Sequence, residues 1–174
     1  DVSEDAINAA LTPGERQVAA ALKDHLALSD AQTVKLLVKH PEVLGYGWQS
    51  NIAPTLDGIQ AALTLSDEDL KKVIQEAPPA LGLSLQGTLL PRISALRALF
   101  GLSADQTREL VLRFPRLLLL SMGEHVVPSA AALQSLLELS VTELRALVLK
   151  YPQVLSLSPT KNLAPTLQAL RSSL

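Results

Sequence analysis

The sequence predicts an all-α, helical-repeat solenoid, and three observations carry that reading. The first is composition: 38 Leu and 22 Ala among 174 residues, against five aromatics (Tyr46, Trp48, Phe100, Phe114 and Tyr151), favour helix over strand. The second is an internal period. Ser29, Ser66, Ser103 and Ser140 are each followed 12 residues later by a proline (Pro41, Pro78, Pro115, Pro152), and 13 residues after that by another (Pro54, Pro91, Pro128, Pro165), so all three landmarks recur every 37 residues. The third is apolar spacing at i, i+3, i+4, i+7 after each serine, which marks one face of a helix rather than a strand.

A partial repeat comes first, near residues 12–27. Thr12, Pro13 and Glu15 form a helix start, and Val18, Leu22 and Leu26 continue an apolar stripe. Residues Ser3 to Leu11 suggest one short helix before it. Four repeats follow, near 28–64, 65–101, 102–138 and 139–174, all in a single domain spanning 1–174.

Within each repeat the serine is the expected N-cap of a first helix. Three residues on stand Gln32, Asp69, Gln106 and Glu143, and all but Asp69 complete a capping box. The core faces are Thr33, Leu36, Leu37, His40; Leu70, Val73, Ile74, Ala77; Thr107, Leu110, Val111, Phe114; and Leu144, Leu147, Val148, Tyr151. This places Phe114 and Tyr151 in the core rather than in base stacking. The proline then stops the helix, because it lacks an N–H and drives its predecessor out of helical angles.

A second helix is expected to open near Asn51, Thr88, His125 and Asn162, with the second proline in its first turn, where the missing N–H is harmless. The roughly ten leucine-rich residues between the helices predict a short helical turn that packs. Opposite the main stripe of the first helix stand Val38, Leu112 and Leu149, with Gln75 the exception. A helix apolar on two faces is sandwiched between its partner and a neighbouring repeat.

Composition also excludes classes. With 48% hydrophobic residues and a net charge of −2 the chain can fold, and no apolar run approaches the ~18 residues that cross a bilayer. No cysteine is present, so disulfides and thiolate chemistry are ruled out. His25, His40 and His125 fall at unrelated repeat positions without metal-ligand spacing, and no nucleophile-elbow, zinc-protease or phosphate-loop motif occurs. The acidic run Asp67, Glu68, Asp69 suits a helix N-terminus and needs no metal. The expectation is a non-catalytic protein without cofactor, metal or small-molecule substrate. The acidic start through Asp5 is unlike a transit peptide, so any targeting segment is expected to be absent from this chain.

Charge is polarised along the chain. Residues 1–91 hold 6 Lys/Arg and 12 Asp/Glu, whereas residues 92–174 hold 9 and 5. The basic set is Arg92, Arg97, Arg108, Arg113, Arg116, Arg145, Lys150, Lys161 and Arg171. A solvated, merely solubilising surface is one reading of it. The other is a file of cations, with Arg113 and Lys150 at the edge of the core stripe, where long side chains lay their stems on apolar surface and present charge to a phosphate backbone. Tyr46 and Trp48, set among glycines between the first repeat's helices, are candidates for a protein contact or for covering the end of the core.

The combination of Leu-Ser, an amphipathic helix, a basic residue two before a proline, a leucine three after it, and a second proline opening the next helix resembles the repeat of the mitochondrial transcription termination factor (mTERF) family. Leu102-Ser103 through Arg113, Pro115, Leu118 and Pro128 is the clearest copy, followed by Leu139-Ser140 through Lys150, Pro152, Leu155, Asn162 and Pro165. The resemblance spans residues 22–174. It implies a curved array of helix triplets, two long and one short and 3₁₀-like, located in a mitochondrion or chloroplast, binding DNA or RNA in transcription, splicing or ribosome assembly. The sequence departs from that pattern at Glu76, which takes the basic position in the second repeat, and in its acidic N-terminal half. Modest charge confined to the C-terminal half favours structured or ribosomal RNA over DNA, through the nine cations above. A protein-interaction scaffold in an organellar assembly such as a ribosome, docked through the acidic half, is the alternative.

Overall fold

A computed structural model describes residues 9–158. Among them every regular element is helical. The α-helices are α1 (Pro13–His25), α2 (Asp30–Lys39), α3 (Ala53–Leu63), α4 (Asp67–Glu76), α5 (Leu90–Phe100), α6 (Ala104–Arg113), α7 (Val127–Leu136) and α8 (Val141–Lys150). Contacts divide the chain into two compact units, residues 1–91 and 92–174, the second starting within α5. This division coincides with the change in charge from net acidic to net basic.

The serines cap as the sequence requires. Ser29, Ser103 and Ser140 accept from the N–H of Gln32, Gln106 and Glu143, whose side chains return to the serine N–H. Ser66 accepts from Asp69 without the reciprocal bond, because the shorter Asp side chain does not complete the box. Thr12 and Glu15 repeat the motif ahead of α1. Each first helix is ten residues long. Thr33 and Thr107 sit on the buried face because their hydroxyls donate back to the carbonyls of Ser29 and Ser103, at 3.0 and 2.7 Å.

The Leu-Ser step has a structural reason that composition does not reveal. Ala27, Thr64, Gly101 and Glu138, each two residues before a capping serine, have φ of 47°, 51°, 59° and 54°. They are the left-handed C′ residues that end the preceding helix. The leucine that follows donates its N–H five residues back, from Leu28 to Lys23, Leu65 to Gln60, Leu102 to Arg97 and Leu139 to Gln134. This is the 6→1 bond of a Schellman motif, and its C″ residue is normally apolar. Leu28, Leu65 and Leu102 are accordingly buried. One dipeptide thus closes one helix and caps the next.

The segment between the helices is two helical pieces rather than a loop. A 3₁₀ turn opens on the proline, at Pro41–Gly45, Pro78–Gly82, Pro115–Leu119 and Pro152–Ser156. A π turn follows, at Trp48–Ile52, Leu85–Leu89 and Met122–Val126, and runs straight into α3, α5 and α7. Asn51, Thr88 and His125 therefore lie inside a helical turn and are not caps. The turn begins after Gly47, Ser84 and Ser121, and the last two hydroxyls accept from Gly87 and Glu124 N–H. The physical cause is the second proline, whose ring would collide with the carbonyl four residues back in an α-helix. Widening the turn just before Pro54, Pro91 and Pro128 moves that carbonyl aside. The expected cap at Asn162 falls outside the described residues, as does most of the expected Ser3–Leu11 helix.

In the first unit α1 packs on α2, α3 packs on α4, and the Pro41–Gly45 and Trp48–Ile52 turns both meet Pro78–Gly82. Its core includes Leu22, Ile52, Leu56, Ile59, Ile74 and Leu81, all fully buried. The second unit repeats the arrangement: α6 and α7 both pack on α8, and the Pro115–Leu119 and Met122–Val126 turns meet Pro152–Ser156. Its core joins Leu96, Leu110, Leu117, Val126, Val148 and Leu155.

Two core assignments are corrected. Tyr151 is 50% exposed, because it is the C-cap residue and its non-helical φ and ψ of −133° and 66° turn it off the stripe. Phe114, in the same cap position, is half-buried against the second unit's core. Val38 is 56% exposed, so α2 is not sandwiched there, whereas Leu149 packs on the core of the second unit.

Candidate nucleic-acid interface

Arg113, Arg116 and Lys150 are exposed and stand at, or just beyond, the C-terminal ends of α6 and α8. Arg113 and Lys150 are the last residues of these two packed helices, and Arg116 follows α6 in the adjoining 3₁₀ turn. The Arg113 guanidinium donates from Nη1 to the carbonyl of Leu149, 3.3 Å away, next to Lys150. Lys150 Nζ stands 5.2 Å from the centre of the Tyr151 ring. Cations in a last helical turn face the negative end of the helix dipole, which stabilises their charge locally.

The other basic residues among the described ones have different settings. Arg92, half-buried in α5, donates from Nη1 to the carbonyl of Leu118, and burial pushes its guanidinium pKa down. Arg97 is exposed in the last turn of α5. Arg108 and Arg145 occupy the fifth position after their serine caps, in the N-terminal half of α6 and α8, and both are half-buried. Arg145 reaches back from Nη2 to Gln106 Oε1 at 3.4 Å. Lys71, at the same repeat position, donates to the carbonyl of Ala27 at 2.7 Å. This position therefore knits one repeat to the turn before it, a role that residue type alone did not signal. Lys161 and Arg171 lie outside the described residues.

Tyr46 and Trp48 are half-buried and have partners inside the first unit. The Tyr46 ring lies over Gly82, where a Cβ would collide with it. Trp48 meets the His25 ring edge-on at 5.6 Å. His25 Nε2 is 4.0 Å from Asp57 Oδ1, and His40 Nδ1 is 3.1 Å from Glu42 Oε1. Among the described residues no three His, Asp or Glu side chains gather as a metal site, and no helix is long and apolar enough to cross a membrane.

Comparison with curated proteins finds no match. The sequence model of the mTERF family matches residues 7–144, most of the chain. Members of that family are organellar, nucleic-acid-binding repeat proteins of gene expression and are in general not enzymes. The all-helical repeats described above are those of this family, and the chain belongs to the mTERF family.

Proposed function

We propose that this chain is a non-catalytic RNA-binding protein of a mitochondrion or chloroplast, acting as one helical-repeat domain that positions structured or ribosomal RNA. The observation that carries the reading is the set Arg113, Arg116 and Lys150, exposed in the half of the chain that holds 9 Lys/Arg against 5 Asp/Glu. Neighbouring cations fixed on two packed helices can contact successive phosphates, and this contact supplies most of the sequence-independent affinity for nucleic acid. Arg97, Lys161 and Arg171 extend the same net-basic half, while Arg92, Arg108 and Arg145 support the surface from half-buried positions. The modest charge favours RNA read by shape over tight duplex-DNA binding.

The test is fluorescence anisotropy of the chain against single-stranded RNA, a structured ribosomal RNA fragment and duplex DNA at about 50 mM salt. The expected order of affinity is structured RNA first and duplex DNA last. Absence of binding to all three overturns the reading.

The net-acidic first half favours a second reading, a scaffold subunit of an organellar assembly such as a ribosome. Its contact surface would include Tyr46 and Trp48, half-buried and therefore still partly accessible. It predicts co-purification with a basic protein partner that is lost in Trp48→Ala.

A further inference from the structure

A groove of about 170 Å³, lined by apolar surface and by Lys35, Lys39, Gln32, His40 and Gln75, lies between α2 and the α4 end of the next repeat, wholly within the acidic unit. We propose that it binds a phosphomonoester, the terminal phosphate of a nucleotide or of an RNA 5′ end.

The first unit has six Lys/Arg, and three of them are committed to internal bonds. Arg16 donates to the carbonyl of Leu11, Lys23 pairs with Asp30, and Lys71 donates to the carbonyl of Ala27. Of the remaining three, Lys35 and Lys39 both line the groove. They are four apart on one helix, so they face the same way, and like charges at that spacing repel. A unit with twice as many acids as bases thus gathers two cations in one concavity. Their charge matches a phosphate dianion better than the single charge of an internal diester.

The other lining groups supply hydrogen bonds. Gln32 and His40 come from the α2 side and Gln75 from the opposite wall, with Leu36 and Pro78 as apolar contact. His40 holds the nearby Glu42 carboxylate through Nδ1; its Nε2 makes no such contact among the described residues.

The second unit carries different residues at the same junction. There Lys35 is replaced by Glu109, His40 by Phe114 and Gln75 by Leu149, each two repeats on. The cation equivalent to Lys39 is Arg113, and it is bonded to the Leu149 carbonyl. Gln75 is the one polar residue in a position that is otherwise Val38, Leu112 and Leu149. The exception belongs to the groove that is lined with cations.

Isothermal titration calorimetry of the full chain tests the proposal with adenosine 5′-monophosphate, inorganic phosphate and adenosine. The two phosphates are expected to bind and adenosine not to. Lys35→Gln with Lys39→Gln should weaken the phosphates at least tenfold, Gln75→Leu several-fold, and Lys72→Gln, exposed and outside the groove, not at all. Circular dichroism checks that each variant folds. An RNA with a 5′-phosphate that binds more tightly than its 5′-hydroxyl twin, and is displaced by the nucleotide, identifies an RNA end as the ligand. Equal binding of the two RNAs, with the mononucleotide still bound, identifies a free nucleotide or phosphate. The proposal is overturned if neither phosphate binds, if adenosine binds as well as its monophosphate, or if the double lysine variant binds unchanged. Arg113, Arg116 and Lys150 are intact in these variants, so failure here is separable from failure of RNA binding by the basic half.

Discussion

Arg113 donates a hydrogen bond to the carbonyl of Leu149, the residue next to Lys150, so a side chain suited to phosphate also ties α6 to the end of α8. The two roles are separable by substitution. Arg113→Ala should cost at most about 1 kcal/mol of stability, as expected for an exposed charge-assisted bond to a carbonyl. Lys150→Ala, which breaks no backbone contact, should leave stability within about 0.5 kcal/mol of the parent. Both should weaken RNA binding. Urea denaturation beside anisotropy checks the pair, and an Arg113→Ala variant that loses stability without losing affinity would assign this arginine to the fold alone.

Much of this architecture was legible in the sequence, because period, caps and prolines act locally. Four serine caps and their partners stand where the spacing puts them, and the proline stop falls one residue after each C-cap. What the sequence hid has equally local causes. Three of the four left-handed residues are Ala27, Thr64 and Glu138, none of which announces a positive φ as Gly101 does. The π turn is a response to a proline two residues downstream, invisible to a pattern that assumes 3.6 residues per turn. Charge and period single out Arg113 and Lys150 as candidates and place them at the ends of their helices, but neither foresees that Arg145 and Lys71 join repeats, since that depends on the neighbouring layer.

The left-handed positions predict a stabilising substitution. An L-residue there carries about 1–2 kcal/mol of strain that glycine avoids, offset in part by glycine's greater unfolded entropy. Thr64→Gly should therefore raise stability by roughly 0.5–1 kcal/mol, and Gly101→Ala should lower it by about 1 kcal/mol. Urea midpoints at constant slope report both. A destabilised Thr64→Gly would mean that its side chain holds the turn by some other contact.

The capping boxes predict a pH dependence confined to particular repeats. Hydrogen bonds from the Ser140 hydroxyl and N–H hold the Glu143 carboxyl below its ordinary value of 4.5. A carboxyl whose pKa is depressed on folding contributes stability that is full above 4.5 and is lost as pH falls through the lower, folded value. Glu15 at Thr12 behaves alike. Gln32 and Gln106 close their boxes with uncharged amides, so those repeats should be indifferent to the same change. Glu143→Gln should flatten the fall in stability below pH 4.5 while leaving neutral-pH stability nearly intact, as thermal melts from pH 3 to pH 7 would record.

Removing the cap itself has a larger effect. Ser103→Ala should cost about 1 kcal/mol, with a range of roughly 0.5–2, because it leaves the Gln106 N–H without its acceptor and opens the box. Hydrogen exchange of the first turn of α6 should accelerate in parallel.

If phosphate contacts by the exposed cations of the basic half drive binding, the salt dependence of RNA binding must rest on them. The most direct measurement is the slope of log affinity against log salt for structured RNA, from about 50 to 200 mM, in the parent chain and in Arg113→Ala, Arg116→Ala, Lys150→Ala combined. The slope should be shallower by about two units or more in the triple variant, since each lost contact removes roughly 0.7–0.9. An unchanged slope with unchanged affinity would contradict phosphate contact by these residues.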